Sequence, residues 1–188
     1  MKIGLVGEAP NDTRAIQNLL SRKYQNLEFV ELLERIDGSM LDNRKAVSRL
    51  LRIEYESHQP DLIIFIRDLD SHEKDRKKLA ERKEIFTYSN RIVNKTGIFL
   101  LNIYEIEALI LADIAAFNNH YGCEIKKHPD PMKVRDPKEI LIVASRKGKK
   151  HYNESHNATI FELLNFDTVK QNCRYFASFI KKLEKKLT

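Results

Sequence analysis

The run Leu62-Ile63-Ile64-Phe65-Ile66 constrains this chain more than any other segment. It offers no polar face, so a strand built from it must be covered on both sides. Pro60 precedes it and the polar stretch Arg67-Asp68-Leu69-Asp70 follows, which limits the run to strand length rather than helix length. A strand of that kind belongs inside a parallel sheet with helices on both faces. The flanking segments agree. KIGLV (2–6), LEFVELL (27–33) and TGIFLLNI (96–103) read as further strands. Between them lie stretches of helical spacing: 12–22, with Ile16, Leu19 and Leu20 on one face; 42–58, with Val47, Leu50, Leu51 and Tyr55; and the highly charged 72–84. Strands alternating with helices are βαβ units, whose strands run parallel. The fold class expected is therefore α/β, a mainly parallel sheet flanked by helices.

The remaining segments add detail. Asp37-Gly38-Ser39 reads as a loop, and YEIEALILADIAAF (104–117) as one helix with a broad apolar face. Pro129, Pro131 and Pro137 mark a loop region, after which 138–145, 156–164 and 168–187 read as a helical tail. The expected organisation is a single domain, with an α/β core over 1–120 and a mainly helical extension over 121–188 packed on it.

Composition excludes several classes. No apolar run reaches the roughly 20 residues of a membrane-spanning helix, so no membrane partner is expected. The opening MKIGLVGEAP turns polar too early for a secretory leader, which points to a cytoplasmic protein. Cys123 and Cys173 are far apart and form no CxxC pair, so two reduced thiols are the simpler reading. No HxxxH pair supports zinc. No GxxxxGK[ST] or GxGxxG motif supports a phosphate-binding loop. Residues 146–188 carry ten Lys or Arg against four Asp or Glu, so the whole net charge of +6 sits there. A neutral body with a basic end could meet a polyanion, DNA or RNA; a solvated lysine face is the alternative.

Acids recur where the strands end. Glu8 follows the first strand, Asp68 and Asp70 follow LIIFI, and Glu105 and Glu107 follow GIFLLNI. In a parallel α/β sheet, ligands bind beyond the carboxyl ends of the strands, so three exits would deliver carboxylates to one edge. Asp68 and Asp70, two apart on extended backbone, would point the same way, with Leu69 turned opposite. Two carboxylates about 4 Å apart repel by about 4 kcal/mol at an effective dielectric of roughly 20. Such a cluster calls for protons or a cation, and hard divalent ions such as Mg²⁺ prefer oxygen ligands. Each acid also has a plainer role. Asp12 could simply cap the helix over 12–22. Glu105 could answer a helix dipole. On a regular helix Glu105 and Glu107 lie about 200° apart, so both face one site only if the helix starts late.

The segment GLVGEAPNDTRAIQNLL, with Glu8 four residues before Asp12, resembles the first motif of the Toprim superfamily, and DLIIFIRDLDS resembles its DxD motif. YEIEALILAD, with Glu105, Glu107 and Asp113, and the tail HYNESHNATIFELLNFDTVKQNCRYFASFIKKL look like a group of small bacterial Toprim-like proteins of unknown function, related to the OLD-family nucleases. The resemblance implies a Toprim-like (Rossmann-like) core that binds Mg²⁺ or Mn²⁺ and cleaves phosphodiesters, in phage defence or DNA repair. It implies metal ligation by Glu8, Asp68 and Asp70, with Glu8 alternatively a general acid or base. Asp12 and one of Glu105 or Glu107 would complete a second metal position. A lysine would stabilise phosphoryl charge, with Lys149 the leading candidate. Arg146, Lys147, Lys149 and Lys150 would contact nucleic acid, although RKGKK could equally be a solvated turn. Glu8-Ala9-Pro10 replaces the familiar Glu-Gly pair and no Gly closely follows Asp70, which argues against topoisomerase or primase work.

Other functions compete with a nuclease. One is a non-catalytic Toprim-like module that regulates, or binds nucleic acid with, an ATPase partner. A phospho-acceptor domain would need paired acids after the first strand, where this chain has Glu-Ala-Pro-Asn. A nucleotidyltransferase would need a Gly-Ser helix start before its DxD, and none is present.

Overall fold

A computed structural model of the protein describes residues 1–34, 36 and 38–187. Among these, four strands form one parallel sheet in the order β2-β1-β3-β4. They are β1 (Lys2–Val6), β2 (Glu28–Glu31), β3 (Leu62–Asp68) and β4 (Gly97–Asn102). The LIIFI run lies in β3, hydrogen-bonded to β1 on one side and β4 on the other. Its residues divide between two cores. Leu62, Ile64 and Ile66 pack with Ile3, Leu5 and the C-terminal helices, whereas Ile63 and Phe65 pack with Val6, Leu32, Val47 and Leu51. That alternation is why the run has no polar position: successive side chains point to opposite faces and both faces are filled. Full burial of one such side chain contributes about 1.5–3 kcal/mol.

The helices follow the strands. α1 (Pro10–Ser21) begins with Pro10 in its first turn, where a missing N–H costs nothing. Its buried stripe is Thr13, Ala15, Ile16, Leu19 and Leu20. α2 (Gly38–Leu41) is one short turn, so Gly38 and Ser39 are helical rather than loop, while Asp37 lies outside the described residues. α3 (Arg44–His58) buries Val47 and Leu51 but leaves Leu50 40% exposed. α4 (Arg76–Ile92) runs eight residues past the predicted end at 84, because Phe86 packs against Phe65 and stacks on Phe99.

The predicted helix over 104–117 is broken. Residues 104–107 form a turn, followed by α5 (Ala108–Ala112) and α6 (Ile114–Tyr121). Asp113, at the junction, takes φ −126° and ψ 58° and accepts a hydrogen bond from Asn165 N (2.7 Å). α7 (Pro137–Ser145) and α8 (Asn157–Leu163) match the expected tail. The expected helix over 168–187 is instead α9 (Phe166–Asn172) and α10 (Arg174–Leu187), separated at Cys173 in extended backbone. These tail helices are part of the main core. Phe161, Phe176, Phe179 and Leu183 are buried with Ile3, Leu5 and Ile64, and Arg22 on the far end of α1 donates to the carbonyls of Glu162 and Leu164. No helix among the described residues is long and apolar enough to cross a membrane.

Candidate functional site

All strands being parallel, their C-terminal ends share one edge of the sheet. Two backbone bonds tie the β3 and β4 exits together: Leu69 N to Asn102 O (2.9 Å) and Asp70 N to Tyr104 O (3.0 Å). Asp70 and Tyr104 both take positive φ, 51° and 59°, a conformation that costs most residues energy and that Asp tolerates better than most. Asp70 is thus not on extended backbone, and its direction is set by this turn rather than by strand alternation. Leu69 is fully buried.

A cavity of about 240 Å³ opens at this edge and is lined by Glu8, Asp12, Asp68, Asp70, Glu105 and Glu107, together with Lys138, Glu154 and Asn157. The structure therefore gathers the six predicted acids around one space. Asp12 is not the cap of α1; Ala9 holds that position, and Asp12 stands in the first turn, half-buried. Glu105 and Glu107 both reach the cavity because the helix starts only at Ala108, leaving them in a turn.

The acids have unequal partners. Glu8 Oε1 pairs with Arg67 Nε (2.9 Å) and accepts from Asp68 N (3.1 Å). Asp70 Oδ2 pairs with Arg82 Nη2 (2.8 Å). Glu105 accepts from Lys138 N (3.2 Å), with Lys138 Nζ at 3.6 Å. By contrast, Asp12, Asp68 and Glu107 form no ion pair among the described residues. Asp68 Oδ1 accepts from Asn102 Nδ2 (2.9 Å), its register partner across β3 and β4. Glu107, only 3% exposed, accepts at Oε1 from Asn157 Nδ2 (3.0 Å), with Tyr152 Oη at 3.3 Å.

Electrostatics follow from this arrangement. Burial, with the charges of Glu107 and Glu8, pushes the Asp12 carboxyl up to about 7. Burial also lifts Asp68 well above the usual carboxylate range, with Asp12, Glu8 and Glu107 adding to the rise and the Asn102 amide opposing it. Burial and Glu107 raise Glu105 against the contacts from Lys138. Burial works against the charge of Lys138, yet Glu154, Glu107 and Glu105 hold it above the ordinary lysine range. The site thus carries more negative charge than its cations offset, and its donors are oxygens. That chemistry suits a hard divalent cation such as Mg²⁺ or Mn²⁺. No three His, Cys, Asp or Glu side chains among the described residues stand as a ready-made metal cluster, so holding an ion requires these carboxylates to close on it.

The basic candidates lie elsewhere. Arg146, Lys147, Lys149 and Lys150 are exposed beyond the C-terminal end of α7, whereas Lys138 stands at its N-terminal end. At about 1.5 Å per residue, α7 separates the two by roughly 13 Å. Lys149 N donates to Tyr121 O (2.7 Å), and the Lys149 side chain runs beside Gly122. The lysine that faces the acids is Lys138, not Lys149. A larger, more open cavity of about 750 Å³ lies near Lys147, between Cys123 and Val143, and lacks a comparable acid cluster. Sequence reasoning missed Lys138, Asn102, Tyr152, Glu154 and Asn157. Only Asn102 carried a usable signal, as a polar residue ending an apolar strand beside Asp68.

The chain matches the model of a family described as Domain of unknown function (DUF4276) over residues 8–184, and it belongs to that family. No curated protein and no solved structure matches it significantly.

Proposed function

Family membership leaves the chemistry open, and from the geometry we propose that this protein is a divalent-metal-dependent phosphodiesterase acting on nucleic acid, a nuclease of Toprim type. The observation that carries the reading is the convergence of six carboxylates on one cavity, three of them forming no ion pair among the described residues. Asp12, Asp68 and Glu107 would hold the cation, with Glu8, Asp70 and Glu105 at its periphery. A bound Mg²⁺ or Mn²⁺ would offset the clustered charge, polarise a phosphodiester and lower the pKa of water. The protein's own groups do the rest. Asn102 holds one oxygen of Asp68, and Asn157 holds one oxygen of Glu107, so each carboxylate is oriented before any ion arrives. Arg67 and the Asp68 N–H orient Glu8 at the rim, where it can exchange a proton with substrate or water. Lys138 presents a positive charge to phosphoryl oxygens.

A second reading has an observation of its own. Arg67 and Arg82 already hold Glu8 and Asp70, as expected of a module that binds metal or nucleic acid and regulates an ATPase partner without cutting. One experiment separates the two. Wild type and Asp68→Ala are titrated with Mn²⁺ or Mg²⁺ and assayed on single- and double-stranded DNA and RNA. Metal-dependent cleavage by wild type alone supports the nuclease. Metal binding without cleavage supports the regulatory module. Equal metal affinity in wild type and Asp68→Ala refutes both.

A further inference from the structure

The approach to α4 and its first turn carry Lys74, Arg76, Lys77 and Lys78, four cations within five residues. They stand at the rim of the acid cavity, because Lys78 Nζ donates to Asp70 O (3.0 Å) and Asp70 lines that cavity. The two acids of the same segment are engaged in holding it in place. Asp75 caps α4: its Oδ1 accepts from Lys78 N (3.1 Å) and its Oδ2 from Ser71 Oγ (2.7 Å). Glu73, 15% exposed, pairs with Arg174 and accepts from Tyr175 Oη (3.2 Å), both on α10. Lys74, Arg76 and Lys77 are exposed and form no ion pair among the described residues. Successive helical side chains lie about 100° apart, so Arg76, Lys77 and Lys78 fan out around the first turn rather than lining one face.

Clustered lysines often form no more than a solvated face, and for RKGKK that account suffices. Arg146 and Lys147 sit at and just past the C-terminal end of α7, where the helix dipole favours cations. The start of α4 has the opposite arrangement. Its first turn holds three cations and no acid, with Asp75 at the cap the neighbouring carboxylate, at the end where the dipole disfavours positive charge. A local preference broken with little return inside the fold marks a place where function outweighs stability. We propose that this rim binds the phosphate backbone of a nucleic acid, with Lys74, Arg76 and Lys77 contacting phosphates and Lys78 fixing the rim to the cavity. A phosphate backbone answers the clustered cations and the positive end of the helix together. Continuity with the carboxylates selects a nucleic acid over an acidic protein, since a backbone held here runs past the cavity where a cation would meet a phosphodiester. The rim thus supplies the nuclease reading, on which the choice of nucleic acid rests, with a surface that carries the substrate.

The test measures binding of labelled single- and double-stranded DNA and RNA to the full chain by fluorescence anisotropy over a range of salt, with a chelator present so that nothing is cut. Wild type is compared with Lys74→Gln/Arg76→Gln/Lys77→Gln and with Lys147→Gln/Lys149→Gln/Lys150→Gln, which loses the same charge beyond the far end of α7. All six side chains are exposed and Gln keeps helix propensity, so both variants fold, as thermal melting checks. The expected result is a salt slope shallower by about 2 to 3 in the α4 variant, from three phosphate contacts at roughly 0.7–0.9 each, and by about 1 or less in the α7 variant. Equal losses in the two variants overturn the proposal by reducing it to net charge. An unchanged slope in the α4 variant, or no binding by wild type, overturns it as well. So does displacement of the labelled strand by polyglutamate as readily as by unlabelled nucleic acid of equal charge, which points to an acidic protein. The Mn²⁺ comparison of wild type with Asp68→Ala tests the metal reading separately, and its failure would leave a positive binding result standing.

Discussion

Two regions meet where β3 ends, and they treat negative charge in opposite ways. On the face toward α4, Glu8, Asp70 and Asp42 each pair with Arg67 or Arg82. On the face toward α1 and α5, Asp12, Asp68 and Glu107 stand together with amides and a phenol for company, and Lys138 is committed to Glu105 and Glu154. The two faces start from adjacent residues, Arg67 and Asp68, which strand geometry sends in opposite directions. The paired side works as structure, tying the β3 exit to α4. The uncompensated side stores repulsion that a cation would relieve. Direct pairing with a cation, more than residue type, thus distinguishes the carboxylates on the two faces.

That contrast can be broken from either side. The largest effect is expected at Arg67. Replacing it with Ala removes a nearly buried guanidinium, leaves the partly exposed Glu8 without its cation, and should cost about 3 kcal/mol of stability in urea denaturation. A loss below about 0.5 kcal/mol would show that this side is not the anchor. Next comes Asp12. Burial and the neighbouring Glu107 and Glu8 push its carboxyl from the ordinary 3.8 up to about 7, so its charge penalises the fold at high pH and not at low pH. In metal-free protein, Asp12→Asn should therefore stabilise by about 2 kcal/mol at pH 8, with the gain fading as the pH falls through 7 and vanishing near 4. A gain independent of pH would contradict the electrostatic account.

A smaller effect concerns metal. Ligation needs Asp12 and Asp68 deprotonated, so Mn²⁺ affinity should rise about tenfold between pH 6 and pH 8, with protons released on binding. Calorimetry in buffers of different ionisation enthalpy would show the release, and flat affinity would place the ion elsewhere. The smallest effect concerns the remote basic cluster. If RKGKK tracks a nucleic-acid backbone, Lys149→Ala with Lys150→Ala should reduce the salt slope of binding by about 2 and leave Mn²⁺ affinity alone. An unchanged slope would remove RKGKK from the reading and leave Lys138 as the cation nearest the acids.

The strand exits were legible because periodicity and burial are local properties. LIIFI has to be an inner strand whatever surrounds it, and the acids that follow such strands have to reach the same edge of a parallel sheet. Glu105 and Glu107 were the limit of that logic. Their joint approach depended on a helix starting at Ala108, and the apolar pattern of 104–117 reads the same whether or not the first turn is helical. The break at Cys173 and the longer α4 escaped for a related reason. Tertiary packing overrode a pattern that was equally compatible with another boundary.

By itself the sequence determined the parallel α/β architecture, the inner place of β3 and the edge at which Glu8, Asp68 and Asp70 emerge, because apolar runs of strand length separated by helices fix both which strands are buried and that their ends share one edge. Only the tertiary structure decided which acids keep a cation and which do not, brought Lys138 rather than Lys149 to the cavity, and set Asn102, Tyr152 and Asn157 behind the carboxylates. Those outcomes depend on contacts between segments 30 to 50 residues apart, such as Asp68 with Asn102 and Glu107 with Asn157. No local pattern encodes them, since charge compensation is a property of distances that exist only once the chain has packed.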